Sequence, residues 1–366
     1  MSRLAIIFLV VLCTACAPRA ALVRVPDTVS RDLVTERVFV ATTRALDENS
    51  QFGGQRSEDP AYLHVDISVP PNREEGSLSW PNGEPSPDTE FLATGAVIHP
   101  DAAAFRASVA AALRDTPGRE REAIIYVHGF NNNFADGVLR IAQLMHDFSL
   151  PGVGIHYSWP SLGNPLGYVH DRDSTLFGRD GLEDLIQQVE AAGATRIILV
   201  AHSIGSLLTM ETLRQMSIAR PGSVASRIGG VVLISPDIDV DVFRNQATRI
   251  GTLPQPFGIF VSKRDRALAL SARLSGDGYR LGNLGNVDDV SDLDVTIIDL
   301  TDYSTGLGHF TAGSSPLVIE IFRRAGDFDT AFSRDAAGQS GILPGAVLTV
   351  QDATQIILSP ITSLTQ

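Results

Sequence analysis

From about Phe91 onward the chain repeats one order, a short apolar run followed by a longer stretch with apolar residues at helical spacing. That alternation is the pattern of βα units around a mainly parallel sheet, and it restricts the chain to an α/β architecture. The strand candidates are "AIIYVHG", "GVGIHYSW", "RIILVAH", "GGVVLIS", "FGIFVS" and "DVTIIDL". Between them, "FADGVLRIAQLMHDF", "GRDGLEDLIQQVEAAG" and "GSLLTMETLRQMS" have helical periodicity. Two earlier runs, "ERVFVATTR" and "AYLHVDISVP", are β-branched and aromatic, and read as strands. The segment "PPNREEGSLSWPNGEPSPDTE" is crowded with turn formers and reads as a surface loop. With 44% hydrophobic and 19% charged residues, the 366-residue chain can bury a large core.

The N-terminus follows a different logic. "MSRLAIIFLVVLCTAC" places Arg3 before an apolar run and small residues before Cys16, the layout of a secretory signal, and it is too short for a stable membrane span. Thr14-Ala15-Cys16 resembles a bacterial lipobox, with Cys13 where leucine is usual, so Cys16 is the candidate lipidation site. A diacylglycerol plus an amide-linked chain would anchor the protein stably. The alternative is a soluble periplasmic or secreted protein. Residues 1–16 are thus expected to be the signal, 17–34 a tether, 35–330 one α/β domain and 331–366 a C-terminal extension. The hydrophobic pieces of that extension, "ILPGAVLTV" and "QIILSPI", have no assigned place.

Both cysteines lie in this leader, so the folded body has no thiolate metal site or internal disulfide. A net charge of -13 repels phosphate backbones, which excludes nucleic acid as a natural partner. No zinc-ligand set or phosphate-cradling loop is visible, and no cofactor is expected.

Candidate chemistry centres on "VAHSIGS", which matches the nucleophile elbow G-x-S-x-G except that Ala201 replaces the first glycine. The turn from strand to helix is tight enough to demand small residues around the serine; Gly205 meets that demand and Ala201 adds one methyl. The alternative for Ser203 is simple N-capping of the following helix. A serine nucleophile needs a base later in the chain, and His309 in "TGLGHFTAG" is the only histidine beyond Ser203. Asp265 in "FVSKRDRAL" is the preferred acid, with Asp237, Asp239 and Asp241 of "ISPDIDVD" as alternatives. The Ile204 amide at the helix start and the Phe130 amide beyond His128-Gly129 are the candidate oxyanion donors. His128 reads as a loop brace, and the three asparagines of "GFNNNF" as loop and cap residues. Trp159 is a candidate pocket wall or a packing residue. Tyr168, in the rim segment "GNPLGYVHDRDS", is a candidate substrate contact.

Taken in order, "VFVATTR", "YVHGFNNNF", "YSWPSLG", "VAHSIGS", "ISPDID", "SKRDRALALS" and "GLGHF" resemble the α/β-hydrolase superfamily. They closely resemble a bacterial family of esterase/lipase-like proteins of largely unassigned function, over about Thr35 to Arg324. The resemblance implies an α/β-hydrolase fold with a mostly parallel eight-stranded sheet, helices on both faces, and a Ser203, Asp265, His309 triad. The resulting expectation is an exported serine hydrolase of a small-molecule or lipid carboxylic ester. The alternatives are an acyltransferase or thioesterase on envelope acyl conjugates, and a catalytically silent envelope lipoprotein.

Overall fold

The computed structural model describes residues 19–25, 33–116, 121–276, 279–304, 308–325, 345–351 and 353–358. The expected signal and Cys16 lie outside them. The strands are β1 (Thr35–Leu46), β2 (Phe52–Ser68), β3 (Leu92–His99), β4 (Glu122–Val127), β5 (Val153–Ser158), β6 (Arg196–His202), β7 (Gly230–Ile234), β8 (Phe257–Val261), β9 (Thr296–Asp299), β10 (Gly345–Val350) and β11 (Ala353–Leu358). The longer helices are α1 (Ala102–Asp115), α2 (Phe134–Asp147), α3 (Tyr168–Phe177), α4 (Arg179–Ala191), α5 (Ile204–Ala219), α6 (Val240–Ile250), α7 (Arg266–Leu274) and α8 (Pro316–Ala325).

All described strands join one sheet in the order β10-β11-β9-β8-β7-β6-β4-β5-β1-β2-β3. From β1 through β11 every neighbouring pair is parallel, and only β2, β3 and β10 run against their neighbours. The mostly parallel α/β-hydrolase sheet is as expected. The described strands number eleven, however, not eight. The first addition, β3, lies at an edge where Val97 and Ile98 face solvent, so its apolar residues lack the alternation that marks a half-buried strand. The hairpin β10–β11 comes from the expected C-terminal extension, and β11 pairs in parallel with β9. That part of the extension completes the main sheet.

Strand residues alternate between two cores because both faces of the sheet are covered. Ile125 and Val127 of β4 and Leu199 and Ala201 of β6 pack with Phe105 of α1, Leu182 of α4 and Leu208 of α5. Ile124, Tyr126, Ile198 and Val200 face the other way, onto Val138 and Ile141 of α2 and Val318 of α8. Each fully buried aliphatic side chain contributes about 1.5–3 kcal/mol, so this double burial holds the central strands rigid beneath their loops.

The expected tether is partly docked. Ala20 and Val25 are buried, and residues Val23 and Val25 exchange backbone hydrogen bonds with Ala93 of β3. Asn133 Nδ2 donates to the Ala20 carbonyl, drawing this segment across the start of α2.

Candidate active site

Strand order reverses at β4: β5 lies on one side of it and β6 on the other. In an open parallel sheet such a reversal leaves a crevice at the carboxyl ends of the two strands, where ligands collect. Ser203 follows β6 at this crevice, and the loop His128–Asn133 follows β4.

Ser203 has φ 55° and ψ −127°, a conformation that costs a non-glycine residue about 1–3 kcal/mol. Three backbone hydrogen bonds hold it: Ser203 N–H to Ile234 O (3.0 Å), Asp237 N–H to Ser203 O (3.1 Å) and Ser206 N–H to Ser203 O (3.0 Å). Its hydroxyl makes no capping bond to α5, which removes the capping alternative. The small-residue requirement is sharpest at Gly205, where a Cβ would lie 2.3 Å from the His128 carbonyl oxygen and 2.8 Å from that of Val127. The pressure there comes from β4. Ala201 is fully buried in the core, and its methyl is accommodated.

His309 Nε2 lies 2.9 Å from Ser203 Oγ, and its Nδ1 lies 2.8 Å from Asp265 Oδ2. Asp265 is buried and does two jobs, because its Oδ1 also accepts from Leu268 N–H at 3.0 Å and caps α7. The alternative acids are engaged elsewhere. Asp237 accepts from Tyr168 and Ser271, while Asp239 caps α6. Asp241 is exposed in the first turn of α6.

His202, adjacent to the nucleophile, escaped the sequence reading. Its Nε2–H donates to the His309 carbonyl at 3.1 Å, and its ring packs edge-on against Phe310. Burial pushes the His202 imidazole well below its ordinary pKa, so it stays neutral. The loop after β4 presses on this pair: a Cβ on Gly129 would lie 2.7 Å from His202 Nδ1 and 2.9 Å from Ser203 Cβ. Phe130 and Ile204, the candidate oxyanion residues, therefore belong to segments that meet beside the Ser203 side chain.

The support behind the β4 loop was also missed, and it centres on Arg44. This buried guanidinium carries five N–H groups and faces five polar atoms. These are Ser158 Oγ (2.9 Å), the carbonyls of Gly53 (2.9 Å), Ser161 (2.7 Å) and Asn132 (2.9 Å), and His128 Nε2 (3.2 Å). The His128 ring is gripped from three sides: its Nδ1 lies 2.9 Å from Gly129 O, and its Nε2 lies 3.0 Å from Trp159 O as well as 3.2 Å from the guanidinium. Burial, reinforced by Arg44, holds the His128 imidazole well below its ordinary pKa, and burial draws Arg44 itself down to about 10. Buried Asp171 supplies the opposite charge; it accepts from Ser161 Oγ (2.6 Å), Leu162 N–H (2.8 Å) and Asn131 N–H (3.3 Å). A charged residue closing the run "VFVATTR" was the available signal for Arg44, but nothing local says where it points.

His128 is the expected loop brace. Asn133 caps α2 in a reciprocal capping box with Asp136, and Asn131, at φ 59°, accepts from Arg19. Trp159 requires a correction: it is fully buried, stacks on His128 with ring centroids 4.7 Å apart, and donates Nε1–H to His128 O at 2.8 Å. It packs beneath the loop and presents no surface to a ligand. Tyr168 sits on the rim, its ring against Phe130 and its hydroxyl 2.9 Å from Asp237 Oδ2 and 2.7 Å from Ser271 Oγ. Among the described residues no group of three or more histidine, cysteine or acidic side chains is arranged to hold a metal ion. No described helix is long and apolar enough to cross a membrane.

A doubly covered, mostly parallel sheet with a strained serine at the strand-order reversal defines an α/β hydrolase. Within that class, the chain belongs to the family described as alpha/beta hydrolase of unknown function (DUF900), whose sequence model matches residues 101–325. No curated protein matches the sequence. Among solved structures, it is similar to a hydrolase from Agrobacterium vitis S4 at 13% identity and TM-score 0.33, over 81% of this chain and 98% of that one. An esterase from Pyrococcus furiosus is similar at 12% identity and TM-score 0.31, over 78% of this chain and 87% of that one.

Proposed function

We propose that this α/β hydrolase is a serine hydrolase of carboxylic esters. Asp265 accepts the Nδ1–H of His309, which leaves the Nε2 lone pair directed at the Ser203 hydroxyl. Ser203 Oγ attacks the ester carbonyl carbon while its proton passes to Nε2, and the Phe130 and Ile204 amides receive the negative charge that develops on the carbonyl oxygen. Collapse breaks the bond to the alcohol, which takes the proton from His309 and leaves an acyl-Ser203. Water then attacks that ester, giving its proton to His309. The carboxylic acid departs as Ser203 recovers its proton.

One observation carries this reading: a serine in strained backbone geometry lies 2.9 Å from an imidazole whose other nitrogen meets a buried carboxylate at 2.8 Å. A fluorophosphonate probe tests it. Label is expected on Ser203 by peptide mass spectrometry, and Ser203→Ala is expected to lower ester turnover by about 10⁴- to 10⁶-fold. Label on a different serine, or undiminished turnover, would overturn the assignment.

We further propose that the protein is exported and lipidated at Cys16, which places it at a membrane of the cell envelope. Cys16→Ser is expected to abolish the mass added by acyl chains. The same acyl mass on the variant rejects that site.

A further inference from the structure

The rim of this site has a composition unlike the rest of the chain. Acidic residues outnumber basic ones 42 to 29 overall, yet from Lys263 to Gly276 the one acidic residue is Asp265, which is buried against His309. Lys263, Arg264, Arg266 and Arg273 are all exposed. On α7, Arg266, Leu270 and Arg273 recur at spacings of four and three and so share its outer face, where Leu270 is 57% exposed. Of the carboxylates on flanking elements, Asp302 meets Arg264 at 3.8 Å, and Asp237 is buried beneath Tyr168 and Ser271.

An apolar edge adjoins these cations. Leu166 is 93% and Val169 75% exposed, and they bracket Tyr168 in the chain. The Tyr168 hydroxyl reaches Ser271, next to Leu270, while its ring packs on Phe130, next to the loop residue Asn131. These contacts link the α7 face to the β4 loop through the apolar edge.

The N-terminal segment arrives at the same edge. Arg19 donates to Asn131 O (3.1 Å) and Asn131 Oδ1 (2.6 Å). Cys16 precedes Arg19 by three residues, a span of at most about 11 Å when fully extended. Acyl chains on Cys16 would therefore enter a bilayer close to the mouth of the site.

Exposed leucine and valine set among lysine and arginine suit the boundary between lipid headgroups and acyl chains. The charge selects the lipid, since a body of net charge -13 approaches an anionic surface favourably only through a cationic face. We propose that this rim rests on an anionic phospholipid bilayer, and that the ester attacked at Ser203 is an acyl lipid drawn from that surface. The substrate half of the proposal rests on the hydrolase reading above; the docking half does not.

Vesicle flotation of the full chain carrying Cys16→Ser tests the docking without acyl chains. Three forms are compared at low salt on phosphatidylglycerol and phosphatidylcholine vesicles: this parent, one adding Lys263→Gln, Arg266→Gln and Arg273→Gln, and one adding Leu166→Ser, Val169→Ser and Leu270→Ser. All share one N-terminus, so differences among them report the rim. Loss of three cations is expected to lower partition onto phosphatidylglycerol on the order of 100-fold. The apolar variant is expected to lose at least about tenfold on that lipid. Circular dichroism and turnover of a soluble ester should match the parent in both. Partition indifferent to lipid charge and to both variants overturns the docking, whatever the turnover. A parent that neither hydrolyses the soluble ester nor labels at Ser203 overturns the hydrolase reading, while the flotation result still decides the rim.

Discussion

The two loops that meet at the strand-order reversal are held by opposite means. The turn after β6 is fixed by its own main chain, with Ser203 at φ 55° and backbone hydrogen bonds to β7 and α5. The loop after β4 is fixed from outside, by Arg44 from β1, Trp159 from beyond β5, Asp171 from α3 and Arg19 from the N-terminal segment. The first arrangement positions one atom, the hydroxyl oxygen, and requires only small neighbours. The second positions a run of peptide groups, and that takes side chains able to reach several carbonyls at once. A site of this kind therefore has a compact half and a distributed half.

The distributed half should break most severely when its hub is removed. Arg44→Met takes away five donors and leaves Asp171 buried without its counter-charge, and chemical denaturation should show a loss of about 3–5 kcal/mol. A cost below about 1 kcal/mol, the size of an exposed ion pair, would mean that Arg44 does not organise the loop.

Acid should strain both halves together. His128 lies under the β4 loop and His202 in the β6 turn, and burial lowers the pKa of each; burial likewise drives His156 down to about 3. Below about pH 6.5 the unfolded chain takes up protons that these folded imidazoles refuse. Stability is thus complete above that pH and falls as pH drops toward the folded values, the window for His156 running down to about 3. Each such histidine contributes about 1.4 kcal/mol per pH unit within its window. Denaturation midpoints at pH 7.5 and 5 measure the slope, and a flat profile would contradict three neutral buried imidazoles.

The smallest effect should come from restoring the motif. Ala201→Gly recreates the full G-x-S-x-G pattern, yet turnover should stay at the parent level, because the tight approach is at Gly205 against β4. Stability should fall by about 0.5–1 kcal/mol, since glycine inside a strand loses more backbone entropy on folding. A marked gain in turnover would show that the methyl had been distorting the elbow.

The same contrast explains what was legible in the sequence. Ser203 was readable because its neighbours in the chain are also its structural requirements, and His309 because it stands alone after Ser203. The eight strands with β-branched or alternating patterns were readable for the same local reason. Arg44 was not: it meets His128 across 84 positions, and no local pattern encodes that meeting. Trp159 was ambiguous because a tryptophan at the carboxyl end of a strand can face the crevice or the core, and the stacking on His128 that decides the matter is a tertiary contact. In β3 and the β10–β11 hairpin, strand identity likewise depends on the neighbour rather than on the run itself.

The parallel seat of β11 against β9 has a consequence for biogenesis. The strand that closes this edge of the parallel block is synthesised after every other strand of that block, so β9 must wait with open amide and carbonyl groups while the preceding strands assemble. During that interval the unfinished edge invites pairing with another molecule. Cleavage between Ala325 and Gly345 would separate the covering strand from the domain it seals.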